Sequence, residues 1–437
     1  MHSRRKYFNM GGVVTVLIAF TPILLWLIAK PMPWDSLKNI SENLGKLAGL
    51  AGMALFAWAV ILSARFKIYN RMFHGLDNTY KAHHNIGSWA FILLLIHPVL
   101  ITFRYFLSSP ASAYEFIKPS LASPFRAVGS IALFGMVVCF VFTMYISIKH
   151  EKFVLVQRIL GFILFIGAIH AVFVGNSDLG FTPIGIVTLQ IYLGVLIGLA
   201  AFVYIYRSIF HGNFAKYDIY KLDKIKKIND NYELILTPQG EPMKYLPGQF
   251  AFIKLEADGI LGQSHPFSMS SDPAGKELIF GIKVLGDYTR ALEDVQPGTL
   301  VKVDGPYGTF SNKIVKNKRQ VWIAGGIGIT PFMAMAKALD SSQDVDLYYS
   351  AKNHKEAIYM EELSRLSKTK KNLRIIPFME DEKGFVNAEL IFEMSKELDD
   401  ANFMICGPMM MMKSLRSQLR DKGVANKNIN TEEFNFS

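Results

Sequence analysis

Four histidines stand inside long apolar stretches, which is an unusual place for them. His83, His84 and His97 share one stretch and His170 lies in another. Ionisable residues at membrane depth are rare and mark sites or inward faces. His97 follows His83 by 14 residues and His84 by 13. On a helix rising 1.5 Å per residue, that spacing separates two levels by roughly 20 Å and keeps them on one face. Neutral imidazoles at two depths could clamp two stacked haems. They could equally bond neighbouring helices or line a wet cavity. His2, His74, His150 and His211 fall at stretch ends or in tails and read as solvated.

Four further patterns carry chemistry in the polar half. In His265-Pro266-Phe267-Ser268, an aromatic flanked by a hydroxyl on a strand could stack on a flavin and bond its edge. Gly286-Asp287-Tyr288-Thr289 opens an apparent helix whose amides could hold a pyrophosphate; an ordinary capped helix is the plainer reading. Gly325-Gly326-Ile327-Gly328-Ile329-Thr330-Pro331 sits between a strand and a helix, the context in which glycines admit a nucleotide phosphate. Cys406-Gly407-Pro408 ends another strand of the same sheet, at the edge where ligands bind. By itself Cys406 reads as a small buried residue.

These residues need elements to position them. Six segments free of Asp, Glu, Lys and Arg are near membrane-spanning length: 7–29, 47–64, 82–103, 127–148, 159–175 and 179–206. The first reads as an anchor rather than a cleaved signal, because no small-residue cleavage site follows it. Residues 1–210 hold 17 Lys/Arg and 6 Asp/Glu, while residues 211–437 hold 30 of each. The whole excess of +11 therefore lies in the apolar half. That pattern suits loops facing a cytoplasmic membrane surface and argues against nucleic acid as a partner. Arg4, Arg5, Lys6, Arg65, Lys67, Arg71, Lys149 and Lys152 flank alternate spans, which predicts both termini in the cytoplasm. Two cysteines, Cys139 and Cys406, exclude a disulfide scaffold or a Cys-ligated cluster.

Strands are expected at 232–236, 250–255, 278–284 and 300–303, forming a small antiparallel barrel over roughly 213–313. From Gln320 strands alternate with helices (321–324, 345–350, 373–378, 403–406), which predicts a parallel doubly wound sheet.

Taken in order, spaced membrane histidines, HPFS, GGIGITPF and CGP resemble the ferric reductase/NADPH oxidase superfamily over about residues 45–437. The resemblance implies an α-helical six-span membrane bundle at 1–210. A ferredoxin-reductase-like module would follow, with a β-barrel FAD domain at 211–313 and an α/β NAD(P)H domain at 314–437. It implies FAD, one or two b-type haems, and NADPH, with NADH possible. The acceptor would be oxygen or a ferric chelate at the outer face of the plasma membrane, reached across the lipid bilayer.

Residue by residue, Phe267 would lie against the flavin ring and Ser268 near its reactive nitrogen. His265, with Pro266 beside it, would stand where relatives use Arg toward the pyrophosphate. Gly286 and Thr289 would bind phosphate. Gly325, Gly326, Gly328, Thr330 and Pro331 would meet the nicotinamide nucleotide, and Cys406, Gly407 and Pro408 would lie beside the nicotinamide. Phe434 near the carboxyl terminus would cover the flavin until nicotinamide displaces it. Ser350 and Lys352, a hydroxyl and a cation, would read a ribose 2′-phosphate, favouring NADPH.

One departure concerns the fifth span. Relatives carry two histidines there, but the position 13 before His170 is Gln157. Three arrangements follow: an inner haem held from one side by His83 or His84, a shifted frame using His150, or a single haem. The one-sided inner haem is the expectation, and Tyr80 places His83 slightly better than His84 in the family frame. The competing expectations are a transporter or redox sensor with no haem, and a flavin reductase on a passive anchor.

Overall fold

The computed structural model describes residues 10–29, 33–64, 66–73, 75–118, 123–146, 150–177, 183–210, 217–256 and 262–432. Phe434, His2, His74, His211, Arg65 and Lys149 lie outside them, as does the side chain of His150. Two compact units are present, one ending at Ala215 and the other spanning Lys216–Phe436.

The first unit is helical: α1 (Met10–Ala29), α2 (Leu37–Leu62), α3 (Lys67–Met72), α4 (Leu76–Phe106), α5 (Pro110–Ile117), α6 (Pro124–Tyr145), α7 (His150–Ser177) and α8 (Pro183–Ile205). Six of these contain stretches long and apolar enough to cross a membrane. Helix α2 begins ten residues before its expected span, and the Glu42 and Lys46 charges in that added stretch are paired in place. Glu42 pairs with Lys46 and with Arg104 of α4, each at 2.6 Å. The sequence marked the stretches that lipid demands, not the ends of the helices.

Helix α2 is enclosed because its glycines let α4 approach. A Cβ added at Gly45 would lie 2.8 Å from Ile101 Cδ1, and one at Gly52 would lie 2.8 Å from Leu94 Cγ. Small residues of this kind hold helices together where lipid offers no hydrophobic drive.

The second unit contains two sheets. The first is antiparallel, in the order β4-β3-β6-β1-β2-β5. Its strands are β1 (Asp218–Ile228), β2 (Asn231–Pro238), β3 (Phe250–Leu255), β4 (His265–Ser268), β5 (Leu278–Lys283) and β6 (Leu300–Tyr307). A bridge from Met269 to Phe280 curls the edge strands toward each other. Pro266 is tolerated because β4 is an edge strand, where a missing N–H costs no ladder bond. Strand β1 escaped the sequence reading because it is lysine-rich, whereas β4 is the short strand expected at HPFS. Helix α9 (Asp287–Ala291) follows β5.

The second sheet is parallel, in the order β11-β10-β7-β8-β9. It comprises β7 (Arg319–Gly325), β8 (Asp344–Ala351), β9 (Leu373–Met379), β10 (Asn402–Cys406) and β11 (Ile429–Glu432). Helices α10 (Thr330–Lys337) and α11 (Met360–Thr369) cover one face. The short α12 (Glu380–Lys383) follows β9, and α13 (Ala388–Met394) and α14 (Met409–Asp421) cover the other face. Alternation along β7 and β10 supplies both cores: Trp322, Ala324 and Met404 face α10, while Val321, Ile323 and Phe403 face α13 and α14.

Asp346 is buried near the amino-terminal edge of this sheet. Arg374 grips it at 2.7 and 2.6 Å, Ser395 donates at 2.5 Å, and Arg319 completes the cluster. Burial alone would raise its pKa, but the donors Arg374, Arg319 and Ser395 outweigh burial and hold it below the usual carboxylate value. A depressed folded pKa contributes stability above the unfolded value, which is lost as pH falls below about 4. Asp346→Ala is expected to cost about 3 kcal/mol, the low end for a broken buried pair, because Arg374 can rehydrate. Melting curves between neutral pH and pH 3 test this: the gap between wild type and variant should narrow toward acid.

Candidate functional site

Within the helical unit the histidines are set by neighbouring backbone. His97 Nδ1 lies 2.8 Å from the Gly45 carbonyl of α2, and His170 Nδ1 lies 2.8 Å from the Phe125 carbonyl of α6. A carbonyl only accepts, so Nδ1 carries the proton and Nε2 keeps its lone pair for a metal. Glycine cradles both rings. A Cβ at Gly49 would fall 2.8 Å from His97 Nδ1, and one at Gly129 would fall 2.6 Å from His170 Nδ1.

The two rings meet with centroids 6.4 Å apart and planes at 68°. An iron between two imidazoles, with bonds of about 2 Å, separates ring centroids by roughly 6 Å. Two neutral imidazoles at this separation would suit a haem iron held between them.

His83 repeats the device with a single partner. Its Nδ1 lies 2.7 Å from the Ala59 carbonyl. Ala59 stands 14 residues beyond Gly45, just as His83 stands 14 before His97. His84 is exposed and belongs to another face. At the corresponding level of α7 the half-buried Gln157 is the polar side chain. Between the two levels Phe91 stacks on Phe140 at 3.9 Å. Among the described residues no group of three His, Cys, Asp or Glu gathers as a metal site.

In the barrel, alternation along β4 divides HPFS between two faces. His265 and Phe267 turn to Tyr288 of α9, with ring centroids at 3.8 and 6.3 Å. Ser268 pairs in register with Phe250, on the opposite face from Phe267. Its buried Oγ has no hydrogen-bond partner among the described residues, and neither does Tyr288 Oη. Burial pushes the Tyr288 phenol up, so it stays protonated. Each of these hydroxyls leaves a hydrogen bond for another group to complete, on its own face of β4.

Thr289 serves the turn more than a ligand. Its Oγ1 accepts from the amides of Leu285 at 2.9 Å and Gly286 at 3.0 Å, and donates to the Gly286 carbonyl at 3.0 Å. What remains for an anion are the amides that follow in α9.

The order of strand addition reverses between the parallel neighbours β7 and β10, the kind of switch point at which doubly wound sheets bind ligands. Its glycines differ in role. A Cβ at Gly328 would lie 2.3 Å from the Cys406 carbonyl oxygen, and one at Gly325 would lie 2.8 Å from Pro408. Both are demanded by packing of the two strand ends, as is Gly407, which lies against Gly325. Of these glycines Gly326 has φ +53° and no atom within 4 Å of a built Cβ, so it faces open space. Thr330 Oγ1 donates to the Ile327 carbonyl at 3.0 Å, and Pro331 opens α10. Burial and then the charge of Glu432 push the Cys406 thiol up, so it is a neutral thiol and no nucleophile.

Two residues escaped the sequence reading. Glu432 pairs in register with Cys406 on β11, and its Oε1 would stand 3.3 Å from a Cβ at Gly308. That strand is four residues long and carries no motif. Tyr359 adopts φ +66°, rare for an aromatic, with its hydroxyl 2.8 Å from a Cβ built at Gly281. Ser350 donates to Glu380 at 2.9 Å, and Lys352 is exposed.

Three family profiles match the chain. They are a ferric reductase like transmembrane component over residues 48–174, an FAD-binding domain over 217–311 and an oxidoreductase NAD-binding domain over 322–417. Among curated relatives, the flavohemoprotein of Bacillus anthracis is 28% identical over 239 residues, 48% of this chain and 59% of the relative. One component of the Na(+)-translocating NADH-quinone reductase of Marinomonas sp. is 27% identical over 196 residues, 38% of this chain and 48% of that protein. The chain thus spans about half the length of these relatives. Among solved structures, the flavohemoglobin of Malassezia yamatoensis aligns with TM-score 0.48 at 19% identity, covering 98% of this chain and 99% of that one. The FAD/NAD-binding domain of the Vibrio cholerae nitric oxide dioxygenase aligns with TM-score 0.44 at 24% identity, covering 49% and 97%.

Proposed function

Because the chain has the ferric reductase/NADPH oxidase-like architecture of a multi-pass membrane oxidoreductase with FAD- and NAD-binding domains, we propose that it carries electrons across the membrane. The donor is cytoplasmic NAD(P)H. FAD and b-type haem are the carriers, and the acceptor at the outer face of the plasma membrane is oxygen or ferric iron. The observation that carries the reading is the His97–His170 pair, two imidazoles whose Nε2 atoms keep their lone pairs and whose centroids lie 6.4 Å apart. We assign residues 1–210 to the haem bundle, 211–313 to the FAD domain and 314–437 to the nucleotide domain.

His97 and His170 would hold the outer haem. His83 would hold the inner one from one side, since it shares the carbonyl device that His84 lacks. Phe267, with His265 and Tyr288 behind it, would support the flavin ring, and the Ser268 hydroxyl would bond the ring edge. Gly286 and Thr289 would shape the turn whose following amides meet phosphate. Gly326 and the start of α10 at Thr330 and Pro331 would receive the nicotinamide nucleotide beside Cys406. Phe434 would cover the flavin between turnovers. Bound flavin accepts a hydride and passes electrons on singly, and bound haem carries them one at a time. The protein aligns these groups and needs no acid or base for the hydride step.

The test is a spectrum of the purified protein with haem and flavin quantified separately. Two haems per flavin are expected, and about half of the reduced haem should bind carbon monoxide, because one iron lacks a second protein ligand. A preparation with flavin but no haem would remove the transmembrane path and leave the sensor or anchored-reductase readings. Haem equal to flavin would remove the inner site.

A further inference from the structure

We infer that Glu380 reads the adenosine ribose and that this protein prefers NADH to NADPH; the inference rests on the nicotinamide reading above and narrows its substrate. From the sequence, Ser350 and Lys352 make a set suited to a 2′-phosphate. The structure turns that set the other way. Ser350 is 1% exposed, and its hydroxyl donates to Glu380 Oε1 at 2.9 Å. It is therefore spent on a carboxylate and is not offered to phosphate.

The position of that carboxylate gives it a role. In doubly wound sheets the residue at the carboxyl end of the second strand, about 20 residues after the glycine turn, meets the ribose. Here the second strand is β8, and Ser350 stands 24 residues after Gly326. The acid that usually occupies this place comes instead from the neighbouring strand, where α12 opens directly after β9. The two strand ends are tied, since the Asp381 amide donates to the Lys352 carbonyl at 3.1 Å. A carboxylate at this spot accepts from a ribose 2′-hydroxyl and repels a 2′-phosphate.

The surrounding charges add to the repulsion. Asp381 and Glu382 follow Glu380 in the same short helix. His354 faces Glu382 at 3.2 Å, and Lys383 is drawn back over the Phe378 ring at 5.8 Å. Lys352 and Lys355 are exposed, and Lys352 has no ion pair among the described residues. Exposed cations are screened and mobile, whereas Glu380 is half-buried and tied to Ser350. The fixed carboxylate therefore decides the choice.

The experiment uses the full-length protein in detergent and follows bleaching of its flavin by NADH and by NADPH. Wild type is expected to favour NADH by about 10- to 100-fold in kcat/KM, mostly through KM. Glu380→Gln should narrow that ratio at least several-fold, by lowering the KM for NADPH and raising that for NADH. Binding of ADP-ribose against 2′-phospho-ADP-ribose gives the same ratio without flavin chemistry. Equal KM values for the two nucleotides in wild type, or an unchanged ratio in Glu380→Gln, would overturn the preference alone. Flavin reduced by neither nucleotide would overturn the nicotinamide reading, and this inference with it.

Discussion

Replacing His170 by alanine is expected to remove one haem and to abolish reduction of the external acceptor, while NAD(P)H still bleaches the flavin at the wild-type rate. The imidazole is set by three features: the Phe125 carbonyl on its Nδ1 at 2.8 Å, the Gly129 cradle and the facing His97 ring. Losing a group that merely orients a metal ligand costs about 10- to 100-fold, so loss of the ligand itself should exceed roughly 100-fold. No other described histidine can substitute, since His83 stands on the same face of α4 roughly 20 Å deeper. His84→Ala is the matched control and should leave the haem spectrum unchanged. Undiminished external reduction in His170→Ala would show that electrons do not pass this site.

Gly328→Ala should disable the nucleotide domain with a single methyl group. The new carbon would stand 2.3 Å from the Cys406 carbonyl oxygen, 2.6 Å from its carbon and 2.8 Å from the Gly407 nitrogen. All three are backbone atoms that cannot rotate away, so the ends of β7 and β10 must part. Overpacking typically costs about 1–3 kcal/mol, and a backbone clash belongs at about 3 kcal/mol or beyond. The same shift opens the switch-point crevice, so nicotinamide-driven flavin reduction should fall with stability. Gly326→Ala separates the two effects. No atom lies within 4 Å of its Cβ, and only φ +53° opposes it, worth about 1 kcal/mol. Urea titrations of both variants, read beside nucleotide affinity, check the contrast. A Gly328→Ala protein as stable as wild type would mean the two turns are not packed as described.

Glycines at 325, 326 and 328 are equivalent letters in a motif, and only the fold separates them. Two serve the packing of strand ends, and one presents backbone to open space. Thr289 was expected to hold phosphate, and its hydroxyl instead closes the turn before α9. Ser350 and Lys352 imply a phosphate reader until Glu380, 30 residues away, takes up the serine hydroxyl. Periodicity along β4 splits HPFS into two faces, which the motif as a string conceals.

From the chain alone came the order of the parts: six apolar helices, a curled antiparallel sheet and a parallel sheet. Solvent preference acts on each segment where it stands, and hydrophobic runs and strand–helix alternation are local signals. Tertiary structure decided which imidazole is oriented, which glycine is free and which carboxylate takes up the Ser350 hydroxyl. Those properties depend on atoms from elements far apart in sequence, such as Gly45 against His97 and Glu380 against Ser350. A carbonyl 52 residues from its histidine leaves no mark on the local pattern, yet it determines which nitrogen keeps its lone pair.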